Sequence, residues 1–157
     1  MSKRLTALAA AGPVAVGAIL AARSGDLSMI GAAPAIVFGV VAATAPALYI
    51  VIAATGQAPP LSSVARAFVI ALGAFGIALA GLVLPAAFLS LSSAAAVTSV
   101  AVCTGAVGGA ATLALWRLHG ELTTKSFAGS IVFLTWAIAT MGIAGRLWWD
   151  LATEVVS

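Results

Sequence analysis

The stretch GIAGRLWWDL, residues 142–151, sets one arginine, two adjacent tryptophans and one aspartate at the end of a long apolar run. A charge inside a membrane helix is by default a functional candidate, whereas a charge at the membrane edge is an anchor. Arg146 and Asp150 are four residues apart, so they share one helical face and can pair. Basic before acidic is the weaker order, and an exposed pair of this kind contributes roughly a few tenths of a kcal/mol. Trp148 and Trp149 each combine an apolar ring with a polar N–H, which favours the interface. They place Arg146 within about one helical turn of it, where the long stem can snorkel outward. Anchoring or local pairing is the preferred reading of Arg146 and Asp150, and a partner-binding or pore role is the alternative. Trp116 and Arg117 repeat the aromatic–basic pattern at the end of another apolar run.

The remaining reactive residue types are sparse. His119 is the single histidine, in the polar stretch RLHGELTTK, where a solvated loop position is expected. It has no second histidine or cysteine cluster with metal-ligand spacing. Cys103, the one cysteine, lies in an apolar segment and cannot form an intrachain disulfide. The apolar segments hold no Asp or Glu for a proton relay or an aspartyl dyad. Neither G-x-S-x-G, a P-loop nor a dinucleotide fingerprint occurs, and the serines lack a plausible base. No catalytic residue, metal or cofactor is therefore expected, and the protein reads as a non-enzyme.

The elements that must carry these residues follow from composition. The chain of 157 residues is 63% hydrophobic and 7% charged, against roughly 25% charged in an ordinary soluble domain. So little polar surface cannot cover a soluble fold, and lipid is the natural solvent. The net charge of +3 gives no reason to expect nucleic acid; the basic residues read as topology signals. Long runs of Ala, Gly, Leu and Val replace the roughly ten-residue alternation of a membrane barrel. The expected fold is an all-α integral membrane protein, one domain over 1–157, packed as a compact bundle of five transmembrane helices. Their segments are about 5–22, 28–55, 61–91, 94–118 and 126–149.

From Ala67 to Trp116 there is no charge, and a single helix over that stretch would be roughly 75 Å long. A hydrocarbon core of about 30 Å forces the chain to turn back, and LPAAFLSLSSAA is the best place. The third and fourth segments then form an antiparallel hairpin. Pro46 and Pro85 are expected to kink their helices. The first segment also fits a secretory signal peptide; a retained signal-anchor is preferred, and cleavage would leave four spans.

Small residues mark the expected helix contacts. Ala94, Thr98, Ala101, Gly105, Gly108 and Thr112 recur at helical spacing, and Gly105 and Gly109 form a G-x-x-x-G pair. Gly73 and Gly76 repeat the theme in the third segment. Between lipid-embedded helices, small side chains let backbones approach and gain van der Waals contact. Packing of the third helix on the fourth through Gly73, Gly76, Thr98, Gly105 and Gly109 is expected; lining of a narrow path is the alternative. Trp136, mid-segment, is expected to fill space beside glycine-rich neighbours.

From about Ala32 onward the chain resembles a group of small bacterial multi-span proteins broadly similar to the Yip1 family. ATAPALYIVIAATG is similar to that group's kinked second helix, with Pro46, Tyr49 and Gly56 in place. VARAFVIALGAFGIALAGLVLPAAFLSLSS resembles its third helix, with Pro85, Phe88 and Ser92–Ser93. GIAGRLWWDL resembles its last helix through Trp149. Arg146 stands where the group usually has a neutral polar side chain, and Ala152 and Thr153 replace its usual Arg-Pro-Phe ending. The resemblance implies five helices and an inside amino terminus, and brings no activity with it.

The expected function is a non-enzymatic subunit of a membrane complex. Its expected partners are membrane lipids and copies of itself or other membrane subunits. The alternative is a small oligomeric channel or transporter, or a membrane-perturbing effector. With five spans, Lys3, Arg4, Arg66, Arg117 and Lys125 share one side and Arg23 and Arg146 the other. The basic excess sets the amino terminus in the cytoplasm of a bacterium, the chain in its inner membrane and the carboxyl terminus outside. A reporter active only outside the cytoplasm should therefore be active when fused after Ser157; a cytoplasm-only reporter working there would overturn this topology.

Overall fold

The computed structural model describes residues 3–54, 59–122 and 127–156. They form five helices: α1 Lys3–Ser24, α2 Met29–Ala54, α3 Leu61–Ser92, α4 Ala96–Leu122 and α5 Phe127–Val156. Among the described residues there is no strand. Four helices, α2 to α5, are long and apolar enough to cross a membrane, and α1 adds a shorter apolar stretch, Ala9–Ser24. Gly56, Lys125 and Ser126 lie outside the described residues.

The boundaries differ from expectation in three places, each for a local reason. The α3 helix runs through Pro85 to Ser92, and only Ser93–Ala95 make the turn. Pro85 is exposed, and the helix absorbs one missing amide. At the end of α3, Ser92 Oγ donates to the Phe88 carbonyl at 2.6 Å, and Ser93 Oγ accepts from the Ala95 amide at 3.3 Å. The α4 helix continues past Leu118 to Leu122, so His119 is a helical residue, not a loop one. The α5 helix extends beyond Trp149 to Val156, because Leu151 and Val155, four residues apart, are both buried in the core.

Two buried clusters hold the bundle. One, toward the Arg23 end, joins all five helices through residues such as Val16, Met29, Leu79, Cys103 and Leu151. The other, toward the Arg117 end, joins α2, α3, α4 and α5 through Leu48, Val64, Leu118 and Phe133. The α3–α4 hairpin is the most extensive helix pair, as expected, and α2 pairs with α5. In the hairpin the buried Ser99 hydroxyl donates to the Ser90 carbonyl at 3.4 Å.

Helix α1 docks chiefly on α2 and α3, and two glycines set how closely. A Cβ at Gly17 would stand 2.5 Å from the Met29 carbonyl oxygen, and one at Gly12 would stand 2.9 Å from Leu79 Cβ and 3.2 Å from the Gly76 carbonyl oxygen. At both positions a side chain would force the neighbouring helix away. Gly73 and Gly76 are buried. The expected contacts at Gly105 and Gly109 are corrected: both are exposed, with nothing within 4 Å of an added Cβ. The α4 face turned inward is Ser99, Cys103, Ala106 and Ala110, one residue round the helix from the glycine row. Thr98 is half-buried beside it.

The α1–α2 turn is specified by two residues. Gly25 adopts φ 77°, the left-handed conformation that ends helices, and its amide donates to the Ala21 carbonyl at 2.8 Å. Asp26 then shapes the entry to α2: its carboxylate accepts from the Ser28 amide at 2.9 Å and the Ser28 hydroxyl at 2.7 Å, just ahead of the helix. These bonds favour the carboxylate and hold its pKa below the ordinary 3.8, the Ser28 amide being the larger cause. A depressed carboxylate stabilises the fold above its unfolded pKa, and the effect is lost as pH falls through the folded value. Asp26→Ala should therefore lower the thermal midpoint in detergent at neutral pH, and the deficit should shrink as the pH falls below 3.8; a constant deficit across that range would refute the role of the carboxylate in this turn.

Candidate functional site

Between the α3–α4 hairpin and the α2–α5 pair lies an apolar cavity of about 200 Å³, partly open to the surroundings. The backbones of the two pairs approach each other chiefly between α4 and α5. Elsewhere side chains must fill the interval, and several are too small. Gly108, Ala111 and Ala114 on α4 face Ala144 and Gly145 on α5 across this space. The two buried clusters close on either side of it, so the unfilled volume sits in the middle of the bundle.

Two tryptophans on α5 frame the cavity and are tied down at their polar edges. Trp136 Nε1 donates across to the Thr44 carbonyl of α2 at 2.9 Å. Thr44 also donates its own hydroxyl to the Val40 carbonyl at 2.8 Å, within the turn preceding Pro46. Twelve residues further along α5, Trp148 Nε1 donates to the Thr104 hydroxyl of α4 at 2.8 Å, which in turn donates to the Val100 carbonyl at 2.7 Å. With both N–H groups satisfied, the indole rings present hydrocarbon-like surface to the cavity. An aromatic group packs around Trp136, of which Phe68 and Trp136 itself reach the lining: Phe68 meets Trp136 edge-on at 6.0 Å, and Phe133 lies 5.7 Å from Trp136. His119 joins it 5.1 Å from Phe133, so this ring packs on an aromatic neighbour, where solvation was expected.

Thr140 also lines the cavity, and it is buried with no hydrogen-bond partner for Oγ1. A helical threonine usually bonds the carbonyl four residues back. Among the described residues, no three His, Cys, Asp or Glu side chains come together, and no charged side chain or histidine lines the cavity.

The residues singled out from the sequence are distributed as follows. Arg146 and Asp150 form the i,i+4 pair at 3.3 Å, with 73% and 54% of their side chains exposed. That exposure places the pair in the weak class of surface bridges. Trp149 and Trp116 are exposed on α5 and α4, and Arg117 follows Trp116 on the outside of the bundle. Trp148 differs from its neighbour: it is half-buried and carries the bond to Thr104. Pro46 is exposed within α2, two residues past the carbonyl that Trp136 engages. The residues not foreseen are Gly12, Gly17, Thr104 and Thr140. The G-x-x-x-x-G spacing of Gly12 and Gly17 is not a helix-pairing pattern, because the two glycines serve different neighbours, α3 and α2. Comparison with models of known protein families, with curated proteins and with solved structures returned no match for this chain.

The Trp136–Thr44 bond is a polar cross-link between α2 and α5. Trp136→Phe keeps a ring against Phe68 and Phe133 but removes the donor. It should lower stability to unfolding in mild detergent by about 0.5–1.5 kcal/mol, and an unchanged unfolding midpoint would show that the bond adds nothing.

Proposed function

We propose that the protein is a non-enzymatic membrane subunit that associates sideways, with copies of itself or with another membrane protein, through the glycine face of α4. The observation that carries this reading is the open space at Gly105 and Gly109. Ala101, Gly105, Gly109 and Thr112 are all exposed along that helix. In hydrocarbon the hydrophobic effect does not drive helices together, and close backbone approach at small residues does. A lipid-facing row of small residues is poor at filling space against mobile chains and good at receiving another helix. The apolar lining of the cavity argues against a hydrated ion path through one copy of the chain. The likeness to Yip1-like proteins supports a multi-span subunit without catalytic machinery, and the charge distribution supports a bacterial inner membrane with a cytoplasmic amino terminus.

The test contrasts two kinds of glycine. Gly105→Leu combined with Gly109→Leu should leave helix content and the unfolding midpoint of the single chain unchanged, while abolishing its larger assemblies in mild detergent. Gly17→Leu should prevent correct folding, because its side chain would collide with the α2 backbone. A wild-type protein that is strictly monomeric with nothing co-purifying, or assemblies that survive the α4 double variant, would sink the proposal.

A further inference from the structure

We propose that the cavity between the two helix pairs is a binding site for one hydrocarbon chain of a membrane lipid. Three observations lead to it. The first is size. The volume is about 200 Å³, room for a short stretch of hydrocarbon chain. Apolar cavities of roughly 150 Å³ inside soluble proteins already stay dry and accept a small apolar molecule.

The second is chemistry. A water needs two to four polar partners, and the cavity offers almost none. Both indole N–H groups are committed to Thr44 and Thr104, and the Thr104 hydroxyl is committed to Val100. The Thr140 hydroxyl has no accessible surface, so Thr140 lines the cavity without offering it a polar partner. What remains is Ile36, Val40, Phe75, Val107, Ala111 and the two indole faces. Such a surface recognises methylenes and nothing more specific. With no charged lining residue, the site reads the chain and leaves the headgroup outside.

The third is place. The helices that line the cavity are the four able to cross a membrane, and the cavity is partly open, so the material next to it is lipid tail. Left empty, the lining would forfeit its dispersion contacts on one side. A single chain restores them and joins the α2–α5 pair to the hairpin where their backbones stand apart. The site is independent of the glycine face of α4, which lies on the outside of the same helix.

The experiment uses the full chain with Trp116→Phe and Trp149→Phe, leaving Trp136 and Trp148 as the emitters. In bromine-free detergent it is titrated with phosphatidylcholine carrying brominated acyl chains. Quenching should saturate near one lipid per chain and be the same with brominated phosphatidylglycerol. Ala111→Phe, which fills the cavity, should abolish the saturable quenching, whereas Ala101→Phe on the exposed face should preserve it. Thr140→Val tests the same site without added bulk, and its quenching curve should match the parent. Quenching that rises without saturating in the parent, or is equal with Ala111→Phe while that variant keeps its helix content and unfolding midpoint, overturns the proposal. Loss of quenching with Thr140→Val overturns it too, because the occupant would then need a polar group that Thr140 bonds. If Ala111→Phe fails to fold, saturation in the parent and the Thr140→Val curve still decide the question.

Discussion

Backbone amides and carbonyls placed in hydrocarbon have no water to turn to, so each must be satisfied inside its own helix or by a neighbour. That constraint dictates the regularity of this protein. It explains why α3 passes through Pro85 without breaking and why the turn between α3 and α4 shrinks to Ser93–Ala95. It also explains where polar side chains go. Thr44, Ser92, Thr104 and Thr112 all return their hydroxyls to carbonyls four residues back. Among the described residues, the two indoles and the Ser99–Ser90 contact make bonds across helices. Polar groups here are spent locally first and between helices second.

Since lipid tails are as apolar as leucine, helices are sorted by shape more than by hydrophobicity. Glycine has two opposite uses in this setting. At Gly12 and Gly17 the missing side chain brings α1 against α3 and α2. At Gly108 and Gly145 the missing side chain leaves room, and the room becomes the cavity. At Gly105 and Gly109 it leaves a shallow track on the outside. The same residue type on one helix thus serves as wall of an internal space and as outer surface, depending on a rotation of about 100° per residue.

Much of the fold was legible because apolar length and charge placement are one-dimensional signals. The five helices, the forced reversal between Ala67 and Trp116, and the α3–α4 hairpin all follow from them. The pairing of Arg146 with Asp150 was legible from its spacing. What was not legible depends on rotation about the helix axis. The α4 sequence offers small residues on nearly every side, so its pattern could not say whether Gly105 or Ala106 faces inward. The role of Trp136 required knowing which helix lies opposite α5, and that is α2, 92 residues away. His119 was misplaced because a polar stretch was equated with a loop, although its helix simply outlasts its apolar part.

The Arg23 guanidinium donates to the Ala94 carbonyl at 3.1 Å, joining the end of α1 to the turn between α3 and α4. The two groups are 71 residues apart in sequence, with α2 and α3 between them. The bond therefore imposes a parity rule: an even number of crossings must separate residue 23 from residue 94, whichever way the whole chain is threaded. A chain in which one of those two helices failed to insert would leave the partners on opposite faces of the bilayer, with the guanidinium and the carbonyl each facing water alone. The contact discriminates between complete and partial threading of the first half of the bundle, and it can form only after α3 has crossed.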